Sequence, residues 1–529
     1  MVADSGQNKQ HTAATHRSES TWLLGDDAGA GTSSSAAAAE GSVLGSRKHA
    51  EADAASTGTI VAQEARRLVR NSTPVILSYL LQYSFTFINM YVLGQIGSDE
   101  LAASGLVNMA IIVVIYSPAI GLTSALDTFC STAFTASQDV TLVGLHLQRG
   151  IIAVTVQFMC IAPVLWFMEP ILVRWLGQDP RIAMLCGSFM RVHLLGALPW
   201  MYYECVKRFL QAQEIMHVST YILLAVTPIH VANNYLLVFS SAAGFGFLGA
   251  AAANVVTNWL MLAMIVGYVR WCNRGARAAW GGGWTVHAVR SMPQYFQLAL
   301  PSMIMVCAEW WILDLLALAS SYLGTATLAA QGIAINTCSL TYQFPDGVSL
   351  ATCNRVGNLL GQGRARRARL TAWLGVSVGV AIGVTTVGVA IAAAEWWGGV
   401  YSTDPRVVAS LVALMPACAA FQMLDAVNSV ASGVLRSLGR QDAGAAINSV
   451  AYYVLGFPLA LYLTYGRPHA GVVGLWYGIG AGVALAVLLQ MLICLRTNWR
   501  SEVRKCIDRV SQDSLVFAND DEDEDEDED

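Results

Sequence analysis

The sequence predicts an all-α, polytopic membrane protein, with twelve transmembrane helices arranged as two pseudo-symmetric six-helix bundles. Three observations carry this. Of 529 residues, 55% are hydrophobic and only 13% charged, with a mean hydropathy of +0.49. Apolar runs of 18 or more residues recur along the chain, more than one water-soluble core requires. The chain also repeats itself. A shift of 227 positions lays Pro74 on Pro301, Gly97 on Gly324, Leu101-Ala102-Ala103 on Leu328-Ala329-Ala330 and Pro118 on Pro345.

Residues 1–62 are rich in Ser, Ala, Gly and Thr and lack hydrophobic periodicity. They read as a disordered cytoplasmic leader, and not as a cleaved signal, because no apolar central region is present. Within it, Glu19-Ser20-Thr21-Trp22-Leu23-Leu24 resembles an acidic dileucine sorting signal. Spans are expected near 72–96, 101–125, 150–168, 182–203, 217–240 and 247–271 in the first bundle (63–272). After a cytoplasmic linker (273–292), further spans are expected near 294–323, 325–350, 370–394, 407–432, 443–465 and 471–495 in the second bundle (293–497). A tail (498–529) ends in ten acids, Asp520 to Asp529, whose removal turns the formal net charge from −5 to +5. This run reads as a solvated, disordered segment.

Basic residues between the spans fix the expected orientation. Twenty-two Lys and Arg fall on one side, among them Arg66, Arg149, Lys207, Arg208, Arg355, Arg367 and Arg436. Four fall on the other: Arg174, Arg181, Arg406 and Arg467. By the positive-inside rule both termini are cytoplasmic. The eleven cysteines show no paired spacing and read as free thiols used as small apolar residues.

The seventh span carries two carboxylates near its middle, Glu309 and Asp314, flanking Trp310-Trp311. A charge at that depth costs at least about 2.5–3.5 kcal/mol, so its default reading is functional; the alternative is a neutral acid used as packing glue. The acids are five apart, about 140° around the helix, and face different neighbours. The repeat lays Glu309 on Gln82 and Asp314 on Phe87, so the first bundle lacks both.

The tenth span adds Asp425 in a stripe with Gln422, Asn428 and Ser432, on one helical face. The eighth has Asn336, Ser339 and Gln343 before Pro345, which interrupts its ladder. Gln82, Thr86 and Asn89 form a neutral stripe in the first span, suited to substrate contact or to helix–helix hydrogen bonding. Trp310 and Trp311 offer cation–π contacts or packing with equal weight. Pro74, Pro301 and Pro345 mark expected helix bends or gating points.

Burial disfavours a charged carboxylate, so a proton and a cationic cargo would compete for such a site, and that exclusion is antiport. No nucleophile or metal-ligand spacing suggests an enzyme. Gly357, Gly361 and Gly363 lack the Lys-Ser or Lys-Thr of a phosphate loop. No cofactor is called for beyond an ion gradient.

These positions stand in a familiar setting. Glu309-Trp310-Trp311, Pro345-Asp346-Gly347, Arg355-Val356-Gly357-Asn358 and Leu360-Gly361-Gln362-Gly363 resemble the multidrug and toxic compound extrusion family. Asp425 leading to Gly433-Val434-Leu435-Arg436, Gly439-Arg440-Gln441, Tyr452-Tyr453 and Gly456-Phe457-Pro458 extends the likeness, as do Ala125-Leu126-Asp127-Thr128, Leu147-Gln148-Arg149 and Lys207–Gln213. It covers about residues 64–495 and is closest to the eukaryotic branch.

The resemblance implies export of small organic compounds, often cations, through a cleft between two lobes, driven by protons rather than Na⁺. It also implies coupling roles for Glu309 and Asp425, a contributory one for Asp314, and a site position for Asn336. The partners implied are a small organic substrate and the lipid bilayer, with no nucleic acid, and the protein as a monomer. The membrane, plasma or vacuolar and endomembrane, is left open. The sequence departs from the family at Ser131–Ala136, His217 and Ser437, near the lobe junctions. Sodium coupling, organic-anion export, lipid flipping and a non-transporting receptor or scaffold are the alternatives.

Overall fold

The computed structural model describes residues 56–240, 244–281, 283–290, 292–467 and 469–527. Its long helices begin with α1 (Thr57–Gly94), α2 (Ser98–Ala136), α3 (Leu142–Trp166), α4 (Pro180–Ala212), α5 (His217–Phe239) and α6 (Phe247–Cys272). They continue with α7 (Met292–Leu323), α8 (Thr325–Gly361), α9 (Ala365–Tyr401), α10 (Pro405–Ser437), α11 (Gln441–Tyr465) and α12 (Val472–Arg496). A last helix, α13, takes Trp499–Asp527.

Eleven of the first twelve are long and apolar enough to cross a membrane. The exception is α8, expected as an apolar span at 325–350. It is a 37-residue helix, too polar to qualify by composition. Neighbouring helices cover its polar residues: Ser349, Thr352, Asn354, Arg355 and Asn358 are all buried.

Local chemistry repeats with the fold. Helices α4 and α10 both open on Asp-Pro-Arg. Asp179 Oδ1 accepts from Arg181 N at 2.8 Å and Asp404 Oδ1 from Arg406 N at 2.9 Å, with proline at the first helical turn. Gly324 joins α7 to α8 at φ 105°, a conformation open to glycine. Pro74, Pro301 and Pro345 all lie inside continuous helices.

One set of polar contacts between the two six-helix halves lies at the end carrying the start of α1 and α13, and a second joins the middle of α2 to α7, where Tyr295 donates to Leu122 O at 2.9 Å. Arg355 of α8 grips Glu64 of α1 with two nitrogens, at 2.8 and 2.9 Å, and reaches Glu214 at 2.8 Å. Thr128 Oγ1 donates to Arg436 O at 2.7 Å, and Thr135 Oγ1 to Asn358 O at 2.9 Å. A methyl group added at Gly357 or Gly361 would overlap Ser131 or Thr135 of α2. These glycines, which lack a phosphate-loop signature, serve the close approach of α8 to α2.

Residues 57–62, expected in the leader, are helical. Arg366 Nη2 donates to Thr57 Oγ1 at 2.8 Å, so the second half holds the first turn of α1 in place. The dileucine-like stretch lies outside the described residues. The acidic run, expected as a disordered tail, continues the backbone of α13 as far as Asp527, propagating a helix whose first turns are docked.

That docking spans both halves. Trp499, Val503 and Cys506 pack with Val356, Leu360 and Leu438 of the second half, whereas Val510 joins the core of the first. Asp513 lies 3.7 Å from Arg149 Nη1 and 3.9 Å from His146 Nε2. Burial holds the Asp513 carboxyl above its ordinary value, against the pull of the Arg149 and Arg509 guanidiniums. All eleven cysteines are free thiols.

Candidate functional site

Glu309 sits half-buried on α7, and its Oε1 accepts a hydrogen bond from Tyr342 of α8 at 2.7 Å. Asp425 is buried on α10, with Oδ1 lacking any hydrogen-bond partner. Each carboxylate lies within electrostatic reach of the other or of Asp346 on α8. Thr341, Tyr342 and Pro345 of α8, Thr386 of α9, and Gln422 and Asp425 of α10 line a small cleft inside the second half. Gln422 ties its two main walls together: it accepts from Thr341 Oγ1 at 2.7 Å and donates to Cys338 O at 3.0 Å.

The distribution of counter-ions separates these acids from the rest. Glu64, Asp127, Glu204 and Glu502 are buried, and each is ion-paired with Arg or Lys. Among the described residues, no Lys, Arg or His nitrogen lies within 4.0 Å of the carboxylates of Glu309, Asp314, Asp346 or Asp425. A buried carboxylate without a cation is costly unless something neutralises it.

The remaining expected site residues fall in several places. Asp314 is half-buried five residues along α7, with Oδ2 unpartnered and Tyr453 as its electrostatic neighbour, apart from the pair. Gln82 donates to Glu204 at 3.1 Å, and Asn89 donates to Asn254 of α6 at 2.9 Å, so both act inside the first half. Trp310 is half-buried. Trp311 is 39% exposed and donates to Val113 O and Ser117 Oγ of α2 at 3.1 and 2.9 Å; it fastens α7 to α2 instead of lining the cleft.

Asn336 and Gln343 are half-buried on α8, the latter bonded to Ser339 O of its own helix at 2.8 Å. Asn428 is 0% exposed and donates to Tyr452 at 3.1 Å while accepting from Gln490 at 3.0 Å, so it joins helices α10, α11 and α12. The Pro74 carbonyl accepts from Thr220 of α5 at 2.5 Å. The structure thus brings together Glu309, Asp425, Gln422 and Pro345, and leaves Asp314, Asn89, Trp311 and Asn428 outside the cluster.

Tyr342, Asp346 and Glu204 stand outside the expected site residues. The first two stand four apart on α8 and share a face, a spacing visible in the sequence. Glu204 is buried beside Lys207, whose Nζ lies 2.6 Å from its Oε1 and over the rings of Tyr79 and Tyr203.

Comparison with known proteins places this arrangement. The MatE family model matches residues 74–236 and 301–462, one copy in each half. An uncharacterized transporter of Schizosaccharomyces pombe is 38% identical over 83% of this chain and 80% of its own. Protein DETOXIFICATION 16 of Arabidopsis thaliana is 32% identical over 87% of this chain and 94% of its own. The crystal structure of the eukaryotic MATE transporter AtDTX14 superposes with a TM-score of 0.80 at 27% identity, covering 85% of this chain and all of that one. Helices, repeat and relatives agree: the chain belongs to the MatE family of multidrug and toxin extrusion proteins, integral multi-pass membrane transporters and not enzymes.

Proposed function

We propose that this protein exports small organic cations in exchange for protons, with Glu309 and Asp425 as the sites at which the two compete. The observation that carries this reading is the absence of a counter-ion at that pair, against the paired acids elsewhere in the interior. Such a pair has to be neutralised by something that arrives and leaves, a proton or a cationic cargo. Because one excludes the other, a proton gradient can drive the cargo uphill. Tyr342 orients Glu309, and Gln422 fixes the wall that carries Asp425. Asp314 contributes from the edge of the site, and Trp310 offers its ring face to a cation.

The ion pairs of Arg355 with Glu64 and Glu214 close the terminus-bearing end, which we take as cytoplasmic from the distribution of basic residues. The two halves rock as lobes about this contact. Proton arrival from the opposite side releases cargo there, and proton loss to the cytoplasm readies the acids for the next cation.

The test is a flux assay on the purified protein in proteoliposomes, using ethidium as the cation. A pH gradient alone drives ethidium movement in this reading, and a Na⁺ gradient alone does not. Flux driven by Na⁺ and indifferent to pH would assign sodium coupling instead.

A further inference from the structure

A line of polar side chains leads away from the site toward the terminus-bearing end. Tyr342, Asp346 and Ser349 occupy positions i, i+4 and i+7 of α8, one face of the helix over about 10 Å. At one end of this face the Tyr342 hydroxyl donates to Glu309 at 2.7 Å. At the other, Ser349 Oγ accepts from Arg436 Nη2 at 3.2 Å. Asp346 lies between them.

Its charged surroundings come from every neighbouring helix. Arg436 of α10 is the leading opposite charge, followed by Arg208 and Lys207 of α4, with Glu204 as a like charge. Asp127 of α2, Tyr79 of α1, Glu309 of α7 and Asp425 of α10 also sense Asp346. Within this group Lys207 is held by Glu204 and Arg208 by Asp127. Among the described residues no carboxylate lies in salt-bridge contact with Arg436, and Asp127 and Asp346 balance its charge at longer range. With the proton on Asp346, its neighbours on the terminus-bearing side, Arg436, Arg208 and Lys207, carry three positive charges against the two of Glu204 and Asp127, which favours release of the proton toward that end.

We propose that Asp346 is a proton-relay residue: it receives the proton from the Glu309–Asp425 pair and passes it to water at the terminus-bearing end. The O–H bond at Glu309 breaks and one forms at Asp346, carried across by water in the cleft. Asp346 then returns the proton to water when that end opens, restoring its charge balance with Arg436. This rests on the proton-coupled reading above. It assigns a role to an acid outside the cargo site, so Asp346 governs coupling more than cargo binding.

The experiment compares two ethidium assays in proteoliposomes: flux driven by a pH gradient, and exchange of ethidium across the membrane at equal pH, which needs no net proton release. For Asp346→Asn the ratio of driven flux to exchange falls at least about tenfold, and Asp346→Glu restores it. The charge-balanced Asp346→Asn/Arg436→Gln protein keeps the low ratio, which covers the case in which the single variant folds poorly. Loss of both assays in parallel, with both activities recovered in the charge-balanced protein, would make Asp346 a structural counter-ion and overturn the relay. So would an unchanged ratio in Asp346→Asn. Wild-type protein that ignores the pH gradient overturns proton coupling itself, whereas a wild type that uses it beside an equally coupled Asp346→Asn overturns only the relay.

Discussion

Glu309 and Gln82 occupy equivalent positions in the two halves, yet their surroundings differ in kind. Glu309 is held by a neutral hydroxyl, that of Tyr342, and faces the unpartnered Asp425. Gln82 donates its amide to Glu204, an acid already neutralised by Lys207 at 2.6 Å. The first half is therefore not free of interior acids, but its acids are committed. A carboxylate locked to an ammonium has nothing left to exchange, whereas one without a cation does. The repeat conserves the scaffold, and the distribution of basic side chains decides which copy carries free acids.

Variants can break or sharpen this contrast. The largest effect is expected at Asp425→Asn, which removes one of the free acids: pH-driven ethidium flux falls by about 100-fold or more while the protein still folds. Near-normal driven flux would remove Asp425 from the coupling site. Next comes a committed acid at the closed end. Arg355→Gln removes both short hydrogen bonds to buried Glu64 and leaves it only Arg367 at 3.8 Å, which costs about 3 kcal/mol of stability, seen as a drop in Tm in detergent. The double variant Glu64→Gln/Arg355→Gln regains most of that loss.

Reading these contrasts from sequence alone succeeds in some places and fails in others for physical reasons. The helices and the 227-residue repeat are legible because apolar runs and helix punctuation are local features. The matched blocks 74–236 and 301–462 begin 227 residues apart. Glu309 and Asp425 stand out because an acid inside an apolar run has no local explanation.

Helix ends are less legible. The end of α8 from Arg355 to Gly361 is polar, and only its burial against α2 accounts for its course. The same blindness affects the count of basic residues. Arg149, Lys207, Arg208, Arg355 and Arg367 look like loop charges, yet all five are buried within helices. With the bases assigned to loops, neither Glu204 nor Asp127 has a visible partner in the sequence. The placement of Trp311 and Asn428 depended on which helix lay beside them, and spacing within one helix carries no such information.

Smaller effects refine the comparison. Glu204→Gln strands the Lys207 ammonium and lowers stability by about 2–3 kcal/mol, and Glu204→Gln/Lys207→Met recovers it. In the double variant the pH-driven flux stays within about threefold of wild type, measured beside its Tm. Loss of coupling there at full stability would give the first half a share of the mechanism. Trp311→Phe removes the indole N–H shared between Val113 O and Ser117 Oγ of α2 and costs about 1 kcal/mol, with little change in driven flux.

The smallest effect concerns α13. The folded Asp513 carboxyl binds its proton more tightly than the ordinary value of 3.8, so docking is fullest below that value. It weakens as pH rises from 3.8 through the folded value, because the buried group then becomes charged. Asp513→Asn abolishes this dependence, read as hydrogen exchange of residues 503–513 corrected for intrinsic rate. Exchange that slows as the pH rises through this interval would reverse the sign.

The decisive comparison sets Glu309→Gln beside Glu204→Gln/Lys207→Met in one proteoliposome assay, with ethidium flux read under a pH gradient. The account predicts a loss of about 100-fold in the first and flux within threefold of wild type in the second. Equal flux in the two proteins, or loss confined to the second, would contradict it.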